Sequence, residues 1–328
     1  ALIYIFMISN AGGIGLKVKT GMRIKETEGL LATSAQAKEA IRQCPAGFQG
    51  FAHFMEHRAG YPAYHQSTAV YYPIGQDKFR DLLAELRKAQ RYIFLEYFIV
   101  ERGVMWNAVL DILKEKVKEG VEVRVMYDGM CSIVLLPYKY PQKLREYGIK
   151  AKMFAPIMPF LSTNQNNRDH RKIVVIDGKV AFTGGINLAD EYINRKTVYG
   201  HWKDTAVKIT GDAVQSFTVM FLQMWNVSEK GSEDYAGYLQ EIKFDHPLSH
   251  DGFVIPYGET PTMRQEVAKT VYASMINSAS RYVHIMTPYF IVDREFLDVM
   301  RYAAERGVEV AMILPGIPDK KVVYYIAR

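Results

Sequence analysis

The sequence is poor in cysteine, lacks long apolar runs and has no dominant charge. Its 328 residues include two cysteines, Cys44 and Cys131, too few for a disulfide framework or, by themselves, for a structural zinc site. No apolar run approaches the roughly 20 residues that a membrane-crossing helix needs. The 41 Lys and Arg against 35 Asp and Glu leave a net charge of +6, and 49% hydrophobic residues exclude a disordered chain. These proportions indicate a globular protein of two domains, whose mild positive charge suits phosphate, lipid head groups or nucleic acid.

The two ends of the chain are unusual. Residues 1–9 (ALIYIFMIS) are almost wholly apolar and are followed by the basic residues 17–25. Such a segment fits a buried strand, the end of a cleaved signal segment or the last turns of a membrane helix. The chain closes at residues 324–328 without a polar tail. We therefore expect a fragment of a longer, membrane-associated protein.

From residue 76 onward, apolar residues follow the periods of helices and strands. Four of them recur at the spacing of one helix face between residues 79 and 86, and residues 107–118 give a second helical stretch. Residues 91–100 and 121–127 are apolar and rich in β-branched and aromatic side chains, as in buried strands. Strands alternating with helices predict an α/β fold with a mainly parallel or mixed sheet flanked by helices.

This α/β unit occurs twice. Residues 91–129 and 281–316 each begin with Arg-Tyr, pass through Tyr-Phe-Ile-Val and a helix into Gly-Val-Glu-Val, and end at a glycine. Chance does not explain a shared order of motifs over 39 and 36 residues, so we interpret the chain as a duplication. The predicted divisions are 1–70 as an N-terminal membrane-proximal segment and linker, 71–235 as the first lobe, and 236–328 as the incomplete start of the second lobe.

A predicted hairpin carries two side chains suited to phosphate chemistry. Short apolar strands at residues 173–176 and 180–182 flank Asp177 and a glycine, a pair typical of hairpin turns. His170 and Lys172 lie two apart before the first strand, so both side chains are expected on one face. A neutral imidazole can attack phosphorus and an ammonium can neutralise phosphate oxygens, although a single histidine before a strand is more often structural.

The residues around the end of the hairpin offer donors for an anion. Gly184 and Gly185 permit a close approach of backbone N–H groups, and Asn187 adds a side-chain amide. Asp177 could hold the second nitrogen of an imidazole or fix the hairpin, and the sequence leaves both roles open. H-x-K-x4-D followed by G-G-x-N is far more specific than any of its members.

This combination resembles the signature of the phospholipase D superfamily. Further segments narrow the resemblance to bacterial cardiolipin synthases, and the similarity runs from about residue 61 to the end of the chain. These segments are YPAY at 61–64, LEYF at 95–98, DGM at 128–130, WKDT at 202–205, TPYF at 287–290 and LPGIPDK at 314–320.

The resemblance implies a two-lobed enzyme of the phospholipase D type, in which each lobe contributes one H-x-K-x4-D motif to a single active site. One histidine forms a phosphohistidine intermediate and the other protonates the leaving alkoxide, while lysines and asparagines bind phosphate without a metal or another cofactor. The implied partners are phosphatidylglycerol, other anionic phospholipids and the bacterial cytoplasmic membrane, with cardiolipin and glycerol as products. No nucleic acid is expected as a partner.

The predicted site combines catalytic and supporting residues. Glu96 stands inside an apolar strand, and a buried carboxylate needs a partner, so we expect it to support the site. His201 and Asp204 follow in a loop and are expected to do the same, with solvated surface as the alternative. The catalytic residues are His170, Lys172 and Asp177, and the phosphate-binding or supporting residues are Gly184, Gly185, Asn187, Glu96, His201 and Asp204.

The second H-x-K-x4-D motif should lie beyond the end of this chain. In the first lobe His170 lies 41 residues after Gly129, which predicts the second histidine at roughly residue 357 or beyond. We therefore expect the chain alone to hold half of the site and to be inactive. A hydrolase or nuclease that uses water as acceptor, and a non-catalytic protein that binds anionic lipid, stay open as alternatives. The apolar start followed by basic residues favours a membrane enzyme over a soluble nuclease; the acceptor and the oligomeric state are left open.

Overall fold

The computed structural model describes residues 14–156, 168–229, 231, 233–239, 248, 252–259 and 266–317. The apolar segment at residues 1–9, the chain from residue 318 onward and most of the join between the two units lie outside these ranges. Within the described ranges, no helix is both long enough and apolar enough to cross a bilayer.

A sheet of seven strands extends from residue 67 to residue 211 and includes the first copy of the repeat. Its strands are β1 (Ser67–Tyr72), β2 (Tyr92–Tyr97), β3 (Glu122–Asp128), β4 (Lys150–Phe154), β5 (Ile173–Ile176), β6 (Val180–Gly184) and β7 (Ala206–Gly211). In space they follow the order β1-β7-β6-β5-β2-β3-β4. The β2–β3 and β3–β4 pairs are parallel, and the other neighbours are antiparallel. The predicted α/β class with a mixed sheet is therefore confirmed, and within this sheet parallel pairing is confined to β2, β3 and β4.

Helices cover both faces of this sheet. Before and within the first unit they are α1 (Ile14–Glu26), α2 (Ala35–Arg42), α3 (Ala46–His57), α4 (Gly75–Lys88), α5 (Val104–Lys118), α6 (Cys131–Val134), α7 (Tyr140–Glu146) and α8 (Val214–Asn226), with short 3₁₀ helices at Asp190–Ile193 and Ala236–Tyr238. Leu82 and Leu86 of α4 and Trp106 of α5 are buried against one face, and Phe217 and Phe221 of α8 against the other.

Strand alternation assigns the side chains of the central strands to these two faces. The odd-numbered residues 93–97 of β2 pack in the cluster of α4 and α5, whereas Tyr92 and Phe94 pack in the cluster of α8. In β5 the even-numbered residues face α4 and α5, and the odd-numbered residues face α8. Because β5 lies beside β2 in the middle of the sheet, the residues just before β5 reach its centre on both faces.

The second unit repeats the first at the level of strand register. It contains α9 (Val267–Ser278), β8 (Tyr282–Met286), α10 (Arg294–Glu305) and β9 (Glu309–Ile313). Strands β8 and β9 are parallel and pair Tyr282 with Glu309, as β2 and β3 pair Tyr92 with Glu122. This shared register is what a duplication of one β-α-β unit predicts. The proposed division points at residues 70 and 235 stay predictions.

Candidate active site

His170 and Lys172 lie just before β5, with their side chains against the same ring. The His170 and Phe98 ring centroids are 4.7 Å apart, and Lys172 Nζ lies 5.3 Å from the Phe98 centroid. Strand alternation accounts for this arrangement, because residues two apart share a face. The histidine is exposed while the lysine is buried, so a reacting group can reach the imidazole beside a partly desolvated ammonium.

The Lys172 ammonium lies in a water-poor environment with carboxylates nearby. Burial lowers its pKa to about 8, while the negative charges of Asp169 and Asp204 raise it. Its Nζ donates a hydrogen bond to the His170 carbonyl oxygen at 2.5 Å. At neutral pH the ammonium is therefore still mostly charged, but it is poorly hydrated. Such a cation is suited to binding an anion that approaches the exposed imidazole.

Gly184 and Gly185 make room for β7 and for the Asp204 carboxylate. Gly184 has a φ of +141°, and a Cβ there would lie 2.5 Å from the Thr205 carbonyl oxygen. A Cβ on Gly185 would overlap the Asp204 carboxylate. The Gly185 N–H donates to the Thr205 carbonyl at 3.0 Å, so this donor is used within the protein. Close packing therefore accounts for both glycines, and their predicted contact with phosphate stays a prediction.

Replacing Gly185 with alanine tests this packing. The added methyl group would collide with the Asp204 carboxylate, so Gly185→Ala should lower the free energy of unfolding by about 1–3 kcal/mol. Gly47→Ala in α3 is the control, because a Cβ there meets no atom within 4 Å and alanine favours a helix. Thermal unfolding of the two variants measures the difference. A Gly185→Ala protein with the same melting temperature as wild type would contradict the packing argument.

Asn187 is buried, and both ends of its amide are engaged. Its Oδ1 accepts a hydrogen bond from the Ile99 N–H at 3.0 Å, and its Nδ2 donates to the Tyr192 hydroxyl at 2.7 Å. Ile99 directly follows Phe98, so these bonds fix the backbone that carries the ring beneath His170. The structure thus gives Asn187 a supporting position, and a phosphate contact for its amide stays a prediction.

Asp177 lies at the other end of β5 from His170. Its carboxylate accepts three backbone hydrogen bonds, from Gln90 at 2.8 Å, Arg91 at 2.7 Å and Tyr92 at 2.9 Å. Its φ of +55° is the left-handed value that a tight hairpin turn requires. The length of β5, about 13 Å at the usual rise per residue, separates this carboxylate from the imidazole. Of the two roles that the sequence left open, its contacts match the fixing of the hairpin, which it ties to the start of β2.

Glu96 lies on the α8 face of the sheet, opposite to His170 and Lys172. It is 0% exposed, and its Oε1 accepts a hydrogen bond from Arg171 Nε at 2.7 Å. The partner that a buried carboxylate needs is therefore the residue between the two predicted catalytic side chains. Glu96 contacts the site through the backbone before β5 and not through the reacting face.

Lys78 is a candidate that the sequence patterns did not single out. It is 2% exposed on α4, and its Nζ donates to the Tyr97 hydroxyl at 2.9 Å. Burial lowers the pKa of Lys78 to about 7, and Asp204 opposes this change. Asp204 interacts with both Lys78 and Lys172, and burial raises its own pKa. The sequence feature that could have identified Lys78 is its spacing, because it lies one helix turn before Leu82 on the buried face of α4.

The predicted residue His201 is exposed in the loop that leads to β7. Its supporting role stays a prediction, whereas Asp204 from the same loop reaches the neighbourhood of Lys172. In the part of the chain that the structure describes, no group of three or more His, Cys, Asp or Glu side chains is arranged as a metal site. The groups found near His170 include the Phe98 ring, the Lys172 ammonium and the Asp204 carboxylate.

The sequence is similar to known proteins over most of its length. Residues 82–225 and 272–328 match the family described as "Cardiolipin synthase, PLD-like domain", and the two stretches contain both copies of the repeat. A cardiolipin synthase of Alkalihalophilus pseudofirmus is 38% identical over 258 residues, covering 77% of this chain and 50% of that protein. An uncharacterized protein of Streptococcus mutans serotype c is 50% identical over 288 residues, covering 88% of this chain and 62% of that protein.

A solved structure shares the fold. Phosphatidylserine synthase of Haemophilus influenzae Rd KW20 superimposes with a TM-score of 0.55 at 15% identity, over 77% of this chain and 63% of that chain. The likeness confirms the predicted type of α/β fold. The chain spans 50–62% of the length of the curated relatives compared with it. With more than half of its residues matched to one family in two blocks, the chain belongs to the cardiolipin synthase family with a PLD-like domain.

Proposed function

We propose that the complete protein is a cardiolipin synthase of the phospholipase D type, which transfers a phosphatidyl group from one phosphatidylglycerol to another. The observation that carries the proposal is the exposed His170 imidazole beside the buried Lys172 ammonium on one aromatic ring. A phosphodiester is negatively charged and repels nucleophiles, so an adjacent desolvated cation favours attack by the imidazole. Membership of the family supports phospholipids as the substrate class.

In the first step of the proposed reaction, the His170 imidazole attacks the phosphorus of phosphatidylglycerol. A nitrogen–phosphorus bond forms and the bond from phosphorus to the glycerol oxygen breaks. The leaving oxygen takes a proton from a general acid of the second lobe, so that free glycerol and a phosphatidyl-histidine result. General acid catalysis of this kind commonly contributes about 10²–10⁴ in rate.

In the second step, a hydroxyl group of another phosphatidylglycerol attacks the same phosphorus. Its proton returns to the group that acted as the acid, its oxygen forms the new bond to phosphorus, and the nitrogen–phosphorus bond breaks. Cardiolipin leaves and the imidazole is regenerated. Phosphatidic acid would form instead if water took the place of this hydroxyl, as in a hydrolase.

Lys172 is suited to hold the phosphate during both steps. Its Nζ donates to the His170 carbonyl in the structure, and a charged phosphate oxygen beside the imidazole would be a stronger acceptor. The Phe98 ring covers one side of the ammonium, which limits hydration and strengthens its interaction with an anion. Asp204 interacts with both Lys172 and Lys78, so a second buried lysine lies close to the proposed phosphate site.

The proposal includes a location at the bacterial cytoplasmic membrane, with phosphatidylglycerol and other anionic phospholipids as partners. These lipids carry negative head groups, and the chain has a net charge of +6. Basic surfaces are attracted to anionic membranes over about one Debye length. The relatives named cardiolipin synthase support phospholipids as substrates, and phospholipids reside in membranes.

Exchange of Lys172 for methionine tests the role of the ammonium. In the complete protein, Lys172→Met should reduce kcat/KM for cardiolipin formation from phosphatidylglycerol vesicles by about 100-fold or more, equivalent to about 3 kcal/mol of transition-state stabilisation. Its melting temperature should equal or exceed that of wild type, because methionine removes a buried charge and packs well on an aromatic ring. Lys179→Met in the exposed hairpin turn is the matched control and should keep full activity. Products are quantified by mass spectrometry.

The pH dependence provides a second readout of the same residue. The charged form of Lys172 is lost as the pH rises through its pKa of about 8, so wild-type kcat/KM should fall above this pH.

Two outcomes would contradict these expectations. A large drop in melting temperature with near-normal turnover in Lys172→Met would show a structural role. Phosphatidic acid as the main product of wild type would show that water is the acceptor, against the proposed transferase.

A further inference from the structure

A second charged cluster lies beneath the candidate active site, on the opposite face of the sheet. Strand alternation before β5 directs His170 and Lys172 to the face of α4 and α5, and Asp169 and Arg171 to the face of α8. Glu96 reaches the same place from β2, where it pairs with the first residue of β5. The cluster therefore contains both sequence neighbours of the proposed nucleophile.

The cluster combines two buried carboxyl groups with one guanidinium. Glu96 is 0% exposed and Asp169 is 3% exposed. Arg171 Nε donates to Glu96 Oε1 at 2.7 Å and lies 3.5 Å from Asp169 Oδ1. With both carboxyl groups ionised, the three residues would carry a net negative charge away from water, which is strongly unfavourable.

The second oxygen of each carboxyl group lacks a donor. Within the described part of the chain, neither Glu96 Oε2 nor Asp169 Oδ2 accepts a hydrogen bond. The two carboxyl groups nevertheless meet at one guanidinium nitrogen, because Arg171 Nε lies 2.7 Å from Glu96 Oε1 and 3.5 Å from Asp169 Oδ1. Burial raises the pKa of Glu96 well above its ordinary value, Arg171 lowers it, and Asp169 raises it. One proton between the two groups would satisfy both oxygens and remove the excess charge.

The Lys172 ammonium interacts with Asp169 through its charge, but its Nζ donates to the His170 carbonyl oxygen. The other neighbouring charged and titratable groups also have partners of their own. Asp128 accepts a hydrogen bond from the Asp169 N–H at 2.8 Å and forms an ion pair with Arg168 at 3.4 Å. The Tyr61 hydroxyl donates to the Gly258 carbonyl. These contacts leave a proton as the simplest donor for the second oxygens of Glu96 and Asp169.

We propose that Glu96 carries a proton that it shares with Asp169 through a hydrogen bond, and that the resulting neutral cluster with Arg171 positions His170 and Lys172 on the reacting face. The shared proton makes a hydrogen bond that two carboxylates could not make, and this bond holds the segment before β5 from below. The positioning role rests on the proposed function, whereas the shared proton does not. Glu96 and Asp169 are positioning residues here, since they act through the backbone of the reacting residues.

Infrared spectroscopy of the purified wild-type protein tests the shared proton without any activity assay. A protonated carboxyl group absorbs at a higher carbonyl stretching frequency than a carboxylate. The difference spectrum between wild type and Glu96→Gln at neutral pH should contain this protonated band. Glu39→Gln is the matched control, because Glu39 pairs with Arg42 on the exposed surface of α2 and its difference spectrum should lack this band. A Glu96 difference spectrum with carboxylate bands and no protonated band would overturn the proposal.

Substitution by an amide tests the positioning role. The glutamine in Glu96→Gln can donate from its amide to Asp169 and still accept from Arg171, so cardiolipin formation should stay within about threefold of wild type. Glu96→Leu removes both bonds and should lose tenfold or more in kcat/KM. If the leucine variant does not fold, the glutamine variant and the infrared band still decide the outcome. A glutamine variant as impaired as the leucine variant would show that an ionised Glu96 is required. If wild type makes no cardiolipin but shows the band, the proposed function fails and the shared proton stands.

Discussion

Replacing His170 with alanine should abolish cardiolipin formation by the complete protein while leaving its melting temperature unchanged. The imidazole is exposed and packs on the Phe98 ring, so its removal should change the free energy of unfolding by no more than about 0.5 kcal/mol. Loss of the nucleophile from a covalent mechanism commonly costs a factor of about 10⁴ or more in kcat. Cardiolipin is measured by mass spectrometry in membranes that lack other cardiolipin synthases.

The control for this experiment is another exposed histidine. His53 lies on α3, outside the proposed site, and His53→Ala should keep full activity. Residual cardiolipin formation within tenfold of wild type in His170→Ala would contradict a nucleophilic role. A large fall in melting temperature would instead assign His170 to the stability of the fold.

The opposite pattern is expected for the third member of the motif. Asp177→Ala should lower the free energy of unfolding by about 3 kcal/mol or more, because three backbone N–H groups lose a charged acceptor. For a domain of this size, that loss corresponds to a melting temperature lower by about 6–12 °C. Asp177→Asn keeps one acceptor oxygen and tolerates a positive φ, so its loss should be smaller. Differential scanning calorimetry of the three proteins measures the order.

Asp111→Ala is the matched control for Asp177→Ala. Asp111 is an exposed residue of α5 that pairs with Lys114, and surface ion pairs of this kind contribute about 0–1 kcal/mol. The contrary outcome is an Asp177→Ala protein with the melting temperature of wild type but as little cardiolipin formation as His170→Ala. It would show that the carboxylate takes part in the chemistry. Together, His170→Ala and Asp177→Ala therefore distinguish the residue of the motif that acts in the chemistry from the residue that stabilises the fold.

The features that depend on local periodicity could be predicted from the sequence. Helix α4, strand β2 and the hairpin of β5 and β6 lie where apolar spacing and the Asp177-Gly178 turn place them. The shared face of His170 and Lys172 follows from the two-residue spacing alone. The duplication was also visible, because each copy keeps the same order of short motifs.

The contacts that depend on strand order could not be predicted. The sequence does not say that β5 lies beside β2, and this neighbour supplies the N–H groups that bind Asp177. The pairing of β6 with β7 likewise places Asp204 against Gly185 at the spot where the sequence predicted an anion. Each of these side chains meets a partner more than ten residues away, and periodicity carries no information about such partners.

Lys78 shows a different limit. Lys78 lies on the same helix face as Leu82 and Leu86. The sequence pattern predicts its ammonium at the surface, because long basic side chains often extend to water from the edge of an apolar face. In the structure it is buried instead and bonds to the Tyr97 hydroxyl. Its burial depends on how α4 packs on β2, which follows from tertiary structure and not from the helix alone.

The measurement that tests the central claim most directly is identification of the residue that carries the phosphatidyl group. The complete protein is mixed with phosphatidylglycerol labelled at phosphorus, denatured rapidly and digested, and the labelled peptide is sequenced by mass spectrometry. The account predicts label on His170 in wild type and in Lys179→Met, and no label at this position in His170→Ala. Label on a different residue of wild type, or undiminished label on the alanine variant, would contradict it.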